Sequence, residues 1–185
     1  GELLVDGERM NETPSIDRDM AMIFKNGKLY PQMNIYDNLA FGLKLKELPI
    51  GEIDARIAEV TQVLNIGHLL DKMTEDLDEK ERALVVLGRA IVKKPKVFLL
   101  DEPFSSLSKE LKKEMQELLW SLYEKMQITV VYVTHNSEDI RHTDTRVAVM
   151  NDGSVQQIGT IGELYDKPAT PYVSEFLGVP AEEVC

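Results

Sequence analysis

Two adjacent acids, Asp101 and Glu102, close the apolar run VFLL at residues 97–100, and Pro103 and a serine-rich stretch follow them. A strand ending in two carboxylates delivers both to one edge of a sheet. There one acid can hold a divalent cation, and the other can orient or deprotonate a water. His135 ends a second apolar run, ITVVYVT at residues 128–134. One strand–helix–strand unit would carry it to the same edge, where an imidazole can contact a phosphate. Each feature also has a plainer reading, because strands often end in acids and a lone histidine is more often structural.

The elements that must position these residues are legible as periodicity. Asp19–Phe24 (DMAMIF) reads as a strand, and Gly1–Gly7 as a short strand and turn. Tyr36–Lys46 reads as a short helix. Glu52–Leu64 is an amphipathic helix, with Ile53, Ile57, Val60 and Leu64 at 4-3-4 spacing. Glu79–Val92 is helical and apolar nearly all round in its second half, which predicts burial. VFLL, apolar on both faces, reads as a parallel-sheet strand, and ITVVYVT as a strand fully buried on both faces. Between them Ser108–Lys125 is a long helix with Leu111, Met115, Leu118 and Leu122 on its stripe and Ser108 as its N-cap. RVAVM and SVQQI flank NDG as a hairpin. Short helices follow near Gly162–Tyr165 and Pro171–Leu177. Met20, Met22, Met115 and Met126 are expected in the core, Trp120 against the long helix, and His68 and His142 at the surface.

Alternation of helices with apolar strands predicts an α/β fold with a mostly parallel sheet flanked by helices. The chain has 185 residues, 43% of them hydrophobic and 29% charged, which suits one domain with a real core. A formal net charge of −11 argues against a nucleic-acid partner, whose phosphates need Lys and Arg. Cys185 is the one cysteine, so no disulfide framework or cysteine-based zinc site is possible within the chain. No run approaches the ~20 apolar residues of a membrane span, which predicts no direct membrane insertion.

VFLLDEP has the Walker B pattern. LDEPFSSLS followed by YVTH resembles the ATP-binding subunit of ABC transporters, and LYPQMNIYDNLAFGL is similar to the segment after the Q-loop in the branch that powers sugar and glycerol-phosphate importers. GRAIV, RVAVMNDGSVQQIGT and ELYDKPATPYVSEFLG follow the same branch, so the resemblance runs along nearly the whole chain. It implies a P-loop NTPase-like core with a helical subdomain at residues 36–90, within one domain over 1–185. It implies Mg-ATP as cofactor, with Asp101 on the metal, Glu102 as base and His135 as catalytic histidine. It implies a membrane permease as partner, docking near the Q-loop and the helical subdomain, and a cytoplasmic or membrane-peripheral location.

The departures from the family pattern fall on nucleotide-facing positions. No Walker A loop, GxxxxGK[ST], is present; the only Gly-Lys pair, Gly27-Lys28, is followed by Leu29 and reads as a turn. The expectation is a core whose N-terminal part is missing. At the Q-loop position stands Lys25, whose ammonium would repel a metal where glutamine offers a neutral carbonyl. At the signature, LSGGQ in the family, residues 77–81 read LDEKE. Asp78, Glu79 and Glu81 would set carboxylates against a partner's phosphate, each contact costing on the order of a few kcal/mol. As a helix start LDEKE is good, with Asp78 the natural N-cap. At the D-loop position Ser108 replaces the acid.

Two readings follow. The chain is a sugar-importer-type ATP-binding subunit impaired or inactive in ATP hydrolysis, or it is a non-catalytic scaffold, natural or engineered, used for interaction or regulation. In both, the strand carrying Val130–Val133 is expected to show an unpaired apolar edge, favouring self-association or a strand donated by a partner.

Overall fold

The computed structural model describes residues 1–25, 27–126, 128–140 and 145–179, so His142 and Cys185 lie outside the described residues. The chain divides into two compact units, residues 1–133 and 134–185.

The first unit opens with a small antiparallel hairpin of β1 (Leu4–Val5) and β2 (Glu8–Arg9). Its centre is a parallel sheet of β3 (Met20–Ile23), β4 (Val97–Asp101) and β5 (Thr129–Val133), in the order β3-β4-β5. Between β3 and β4 run α1 (Ile35–Lys44), α2 (Ile50–Leu64) and α3 (Glu79–Ile91); α4 (Lys109–Met126) connects β4 to β5. Ala21, Ile23, Phe98 and Leu100 bury one face of the sheet in a core shared with all four helices. The stripe read on α2 is the buried one, Ile53, Ile57, Val60 and Leu64. On α4 Met115, Leu119 and Leu122 are buried, while Leu111 and Leu118 are half-buried against the core. Trp120 packs at the helix surface, 5.8 Å from the Tyr132 ring of β5.

The opposite sheet face departs from expectation. ITVVYVT was expected to be buried on both sides, yet Val131 and Val133 are 47% and 51% exposed, and Met22, expected in the core, is 44% exposed. The reason is layering: the core helices cover a single face of this sheet, so alternate residues of β3 and β5 face outward. β5 stands at the end of the strand order, as an edge strand among the described residues.

Three details hold the helices α1–α3 in place. Asn34 caps α1 by accepting the Asp37 N–H at 2.7 Å. Asn38, fully buried on α1, accepts the Tyr30 N–H at 2.7 Å and donates to the Tyr30 and Met33 carbonyls at 3.1 and 3.0 Å, pinning the loop that leads into the helix. At Gly88 of α3 a Cβ would stand 3.2 Å from Leu64 and 3.4 Å from Leu39 and Val60, so glycine lets the three helices close up.

The second unit pairs β6 (Arg146–Asn151) with β7 (Ser154–Thr160) antiparallel, and α5 (Ile161–Asp166) and α6 (Pro171–Leu177) follow. The turn is Asp152-Gly153, with φ of +46° and +73°, the left-handed pair a two-residue hairpin needs. Val149, Leu164, Val173 and Leu177 form its core.

Candidate functional site

Parallel register brings three of the candidate residues to one edge. Ile23 of β3 stands opposite Leu100 of β4. Two residues further along each chain stand Lys25 and Glu102. Lys25 Nζ lies 2.8 Å from Glu102 Oε2 in a charge-assisted hydrogen bond. The Glu102 side chain is 20% exposed and that of Lys25 57%. Asp101 is the last residue of β4, opposite Val133.

Glu102 leaves the strand in the left-handed region, φ +45°, a conformation costing a non-glycine residue about 1 kcal/mol. The loop holds it there. Its N–H donates to the Val133 carbonyl at 3.0 Å, and its carbonyl accepts the Ser105 N–H and Oγ–H at 3.2 and 3.0 Å. The turn after the two acids is therefore built by PFSS, and it directs Glu102 to Lys25.

His135 begins the second unit with Thr134. Thr134 Oγ1 donates to Asp139 Oδ2 at 2.6 Å, and Thr134 Oγ1 accepts the Asn136 N–H at 3.0 Å. The Glu138 N–H donates to Asn136 Oδ1 at 3.0 Å. These bonds shape the loop that carries the histidine.

Asp78 and Ser108 are helix caps. Asp78 Oδ1 accepts the Glu81 N–H at 2.7 Å, and Glu81 Oε2 accepts the Asp78 N–H at 3.0 Å, a reciprocal capping box at the start of α3. Lys72 Nζ, 2.9 Å from Glu81 Oε1, holds the Glu81 carboxyl below its ordinary range, and the Asp78 N–H adds to the effect. Lys80 pairs with Glu114 of α4. Ser108 Oγ accepts the Leu111 N–H at 3.3 Å, and its carbonyl accepts that of Lys112 at 2.8 Å, opening α4.

A groove of about 570 Å³ adjoins Lys25. Phe24, Tyr30 and Phe41 give it apolar walls, and Lys25, Lys28, Arg89 and Lys93 bring four positive charges with no acid among its described lining residues. The Arg89 guanidinium lies 5.2 Å from the centre of the Tyr30 ring, and its Nη1 is buried without a hydrogen-bond partner. Burial lowers the affinity of Arg89 for its proton. Burial also lowers that of Lys93, helped by the neighbouring charges of Arg89 and Lys46. Sequence reasoning missed Arg89 and Lys93. The available signal was a guanidinium inside ALVVLGRAIV, a run otherwise suited to burial.

The edge at the end of β4 belongs to an α/β fold with a parallel sheet flanked by helices, the architecture of the ABC ATPase core within the P-loop NTPases. The solved structure of cbiO1 from Clostridium perfringens, part of the ABC transporter complex cbiONQ, matches it with a TM-score of 0.77 and 25% identity, over 90% of this chain and 68% of that one. The family described as ABC transporter matches residues 1–105, and the chain belongs to that family. It is 42% identical over 181 residues to the oligosaccharides import ATP-binding protein MsmX of Bacillus subtilis, covering 98% of this chain and 50% of that protein. It is 44% identical over 179 residues to the trehalose/maltose import ATP-binding protein MalK of Thermococcus litoralis, covering 97% and 48%. YurJ of Bacillus subtilis, an uncharacterised ABC transporter ATP-binding protein, is 42% identical over 97% of this chain and 49% of its own. The chain spans about half the length of these curated relatives.

Proposed function

We propose that the chain acts as the ATP-binding-subunit-like component of a sugar-type importer, working with a membrane permease from the cytoplasmic side, and that it is impaired or inactive in ATP hydrolysis. The observation that carries this reading is the Lys25–Glu102 ion pair. A Glu102 oxygen that already accepts from the Lys25 ammonium is engaged away from water, and a cation on Glu102 disfavours the metal that Mg-ATP would bring. The residues present therefore do not fit Mg²⁺ at this edge, and no hydrolytic step is derived through it. The capping roles of Asp78 and Glu81, and of Ser108, support the same reading, because those side chains serve their helices. Among the described residues no helix is long and apolar enough to cross a membrane.

By the family resemblance the permease would dock beside Lys25 and the helical segment. The groove there has apolar walls and four cations with no acid among its described lining residues, a surface that suits a helix carrying a carboxylate. Calorimetry with Mg-ATP, run with a phosphate-release assay, tests the activity claim: weak or absent binding without turnover is expected, and micromolar binding with turnover would overturn it. Co-purification with a sugar-importer permease tests the partner.

A second reading is favoured by the exposed face of β3 and β5. Met22, Val131 and Val133 form an apolar outer surface beside an edge strand. On that reading the chain self-associates or takes a strand from a partner, as an interaction module derived from the same fold.

A further inference from the structure

We propose that Lys25 is the resident cation of the Asp101–Glu102 pair, a specificity-determining residue that makes this edge exclude divalent metals. The inference deepens the non-hydrolysing reading above, but its test needs neither nucleotide nor permease.

The sheet itself places Lys25. Ile23 and Leu100 are register partners at the ends of β3 and β4, and Lys25 and Glu102 each follow two residues later. The contact is 2.8 Å, inside the range of a charge-assisted bond, and the Glu102 side chain is mostly shielded from water. Its partner is also prepared, since Glu102 is held at φ +45° by the Val133 carbonyl and by Ser105.

The chemistry is competition for one oxygen. Mg²⁺ and Mn²⁺ take oxygen ligands in a compact octahedral shell. A charged lysine has donors and no lone pair, so it cannot join that shell. A dication on Glu102 Oε2 would lie within a few ångströms of Nζ and be repelled by it. The three side chains together carry a charge of −1; without Lys25 they would carry −2. An ammonium tethered by the protein backbone is present at every metal concentration, so it competes without being diluted.

Manganese binding to the purified chain, followed by the electron paramagnetic resonance signal of free Mn²⁺, tests this. The wild type should show no saturable site at this edge in the low millimolar range. Lys25→Gln should gain one, with affinity raised on the order of tenfold or more. Lys25→Met should gain it too, and Lys25→Arg should keep the exclusion, which separates charge from packing. Adding Asp101→Asn to Lys25→Gln should abolish the gain, which separates this edge from the many other acids of the chain. The Lys25 side chain is 57% exposed, so these variants should fold, with circular dichroism as the check. Wild-type binding as tight as that of Lys25→Gln, or a gain in Lys25→Arg, would overturn the proposal. Failure of permease capture alone would leave it standing and would count against the importer reading instead.

Discussion

Glu102 shows how one residue draws on several levels of structure. Its identity as an acid after VFLLD was legible in the sequence, and so was its place at the end of a strand. Its ion pair was not, because Lys25 lies 77 residues away in the chain and meets it only through the β3–β4 register. Arg89 poses the converse case. It sits in a run that periodicity assigned to burial, and its Nη1 is buried without a partner. Such a charge is retained at a cost, which the Tyr30 ring offsets by about 1 kcal/mol. Arg89→Leu should therefore unfold in urea within about 1 kcal/mol of the wild type, while permease capture falls. A loss of stability above about 3 kcal/mol would show a structural role for the guanidinium instead.

At the scale of elements, the helices were readable from spacing alone, and their ends moved by only a residue or two. Caps explain why: Asn34, Asp78, Ser108 and Thr170 are the residue types that satisfy free N–H groups, and each does so here. LDEKE is a case where local chemistry is unambiguous. Asp78→Ala should cost about 1 kcal/mol, read as a shift in the urea midpoint. Glu81 adds a pH dependence. Its folded carboxyl lies below the ordinary value of 4.5, so its contribution is complete above that value and is lost as pH falls through the folded value. Stability measured between about pH 6 and about pH 3 should fall more steeply for the wild type than for Glu81→Gln. Equal slopes would remove Lys72 and the Asp78 N–H as the cause. The strands were harder. An apolar strand reads alike whether helices cover one face or both, and ITVVYVT was assigned two covered faces where it has one.

Across the whole molecule, the outer face of the first unit's sheet is the feature with most bearing on assembly. A lysine at Val131 would put a charge on that face without touching the helical core. Sedimentation velocity at high micromolar concentration should show the wild type self-associating and Val131→Lys as a monomer; a wild type that stays monomeric would end the self-association reading. The sequence by itself determined the α/β class, the positions of the helices, the two acids at the end of β4 and the likeness to ABC importer subunits. These depend on local propensity, periodicity and motif, which are properties of neighbours along the chain. Only the tertiary structure decided that Lys25 meets Glu102, that Arg89 and Lys93 converge on one groove, and that β5 shows Val131 and Val133 to the outside. Each of these depends on register or layering between segments distant in the chain, and no local pattern encodes which faces will meet.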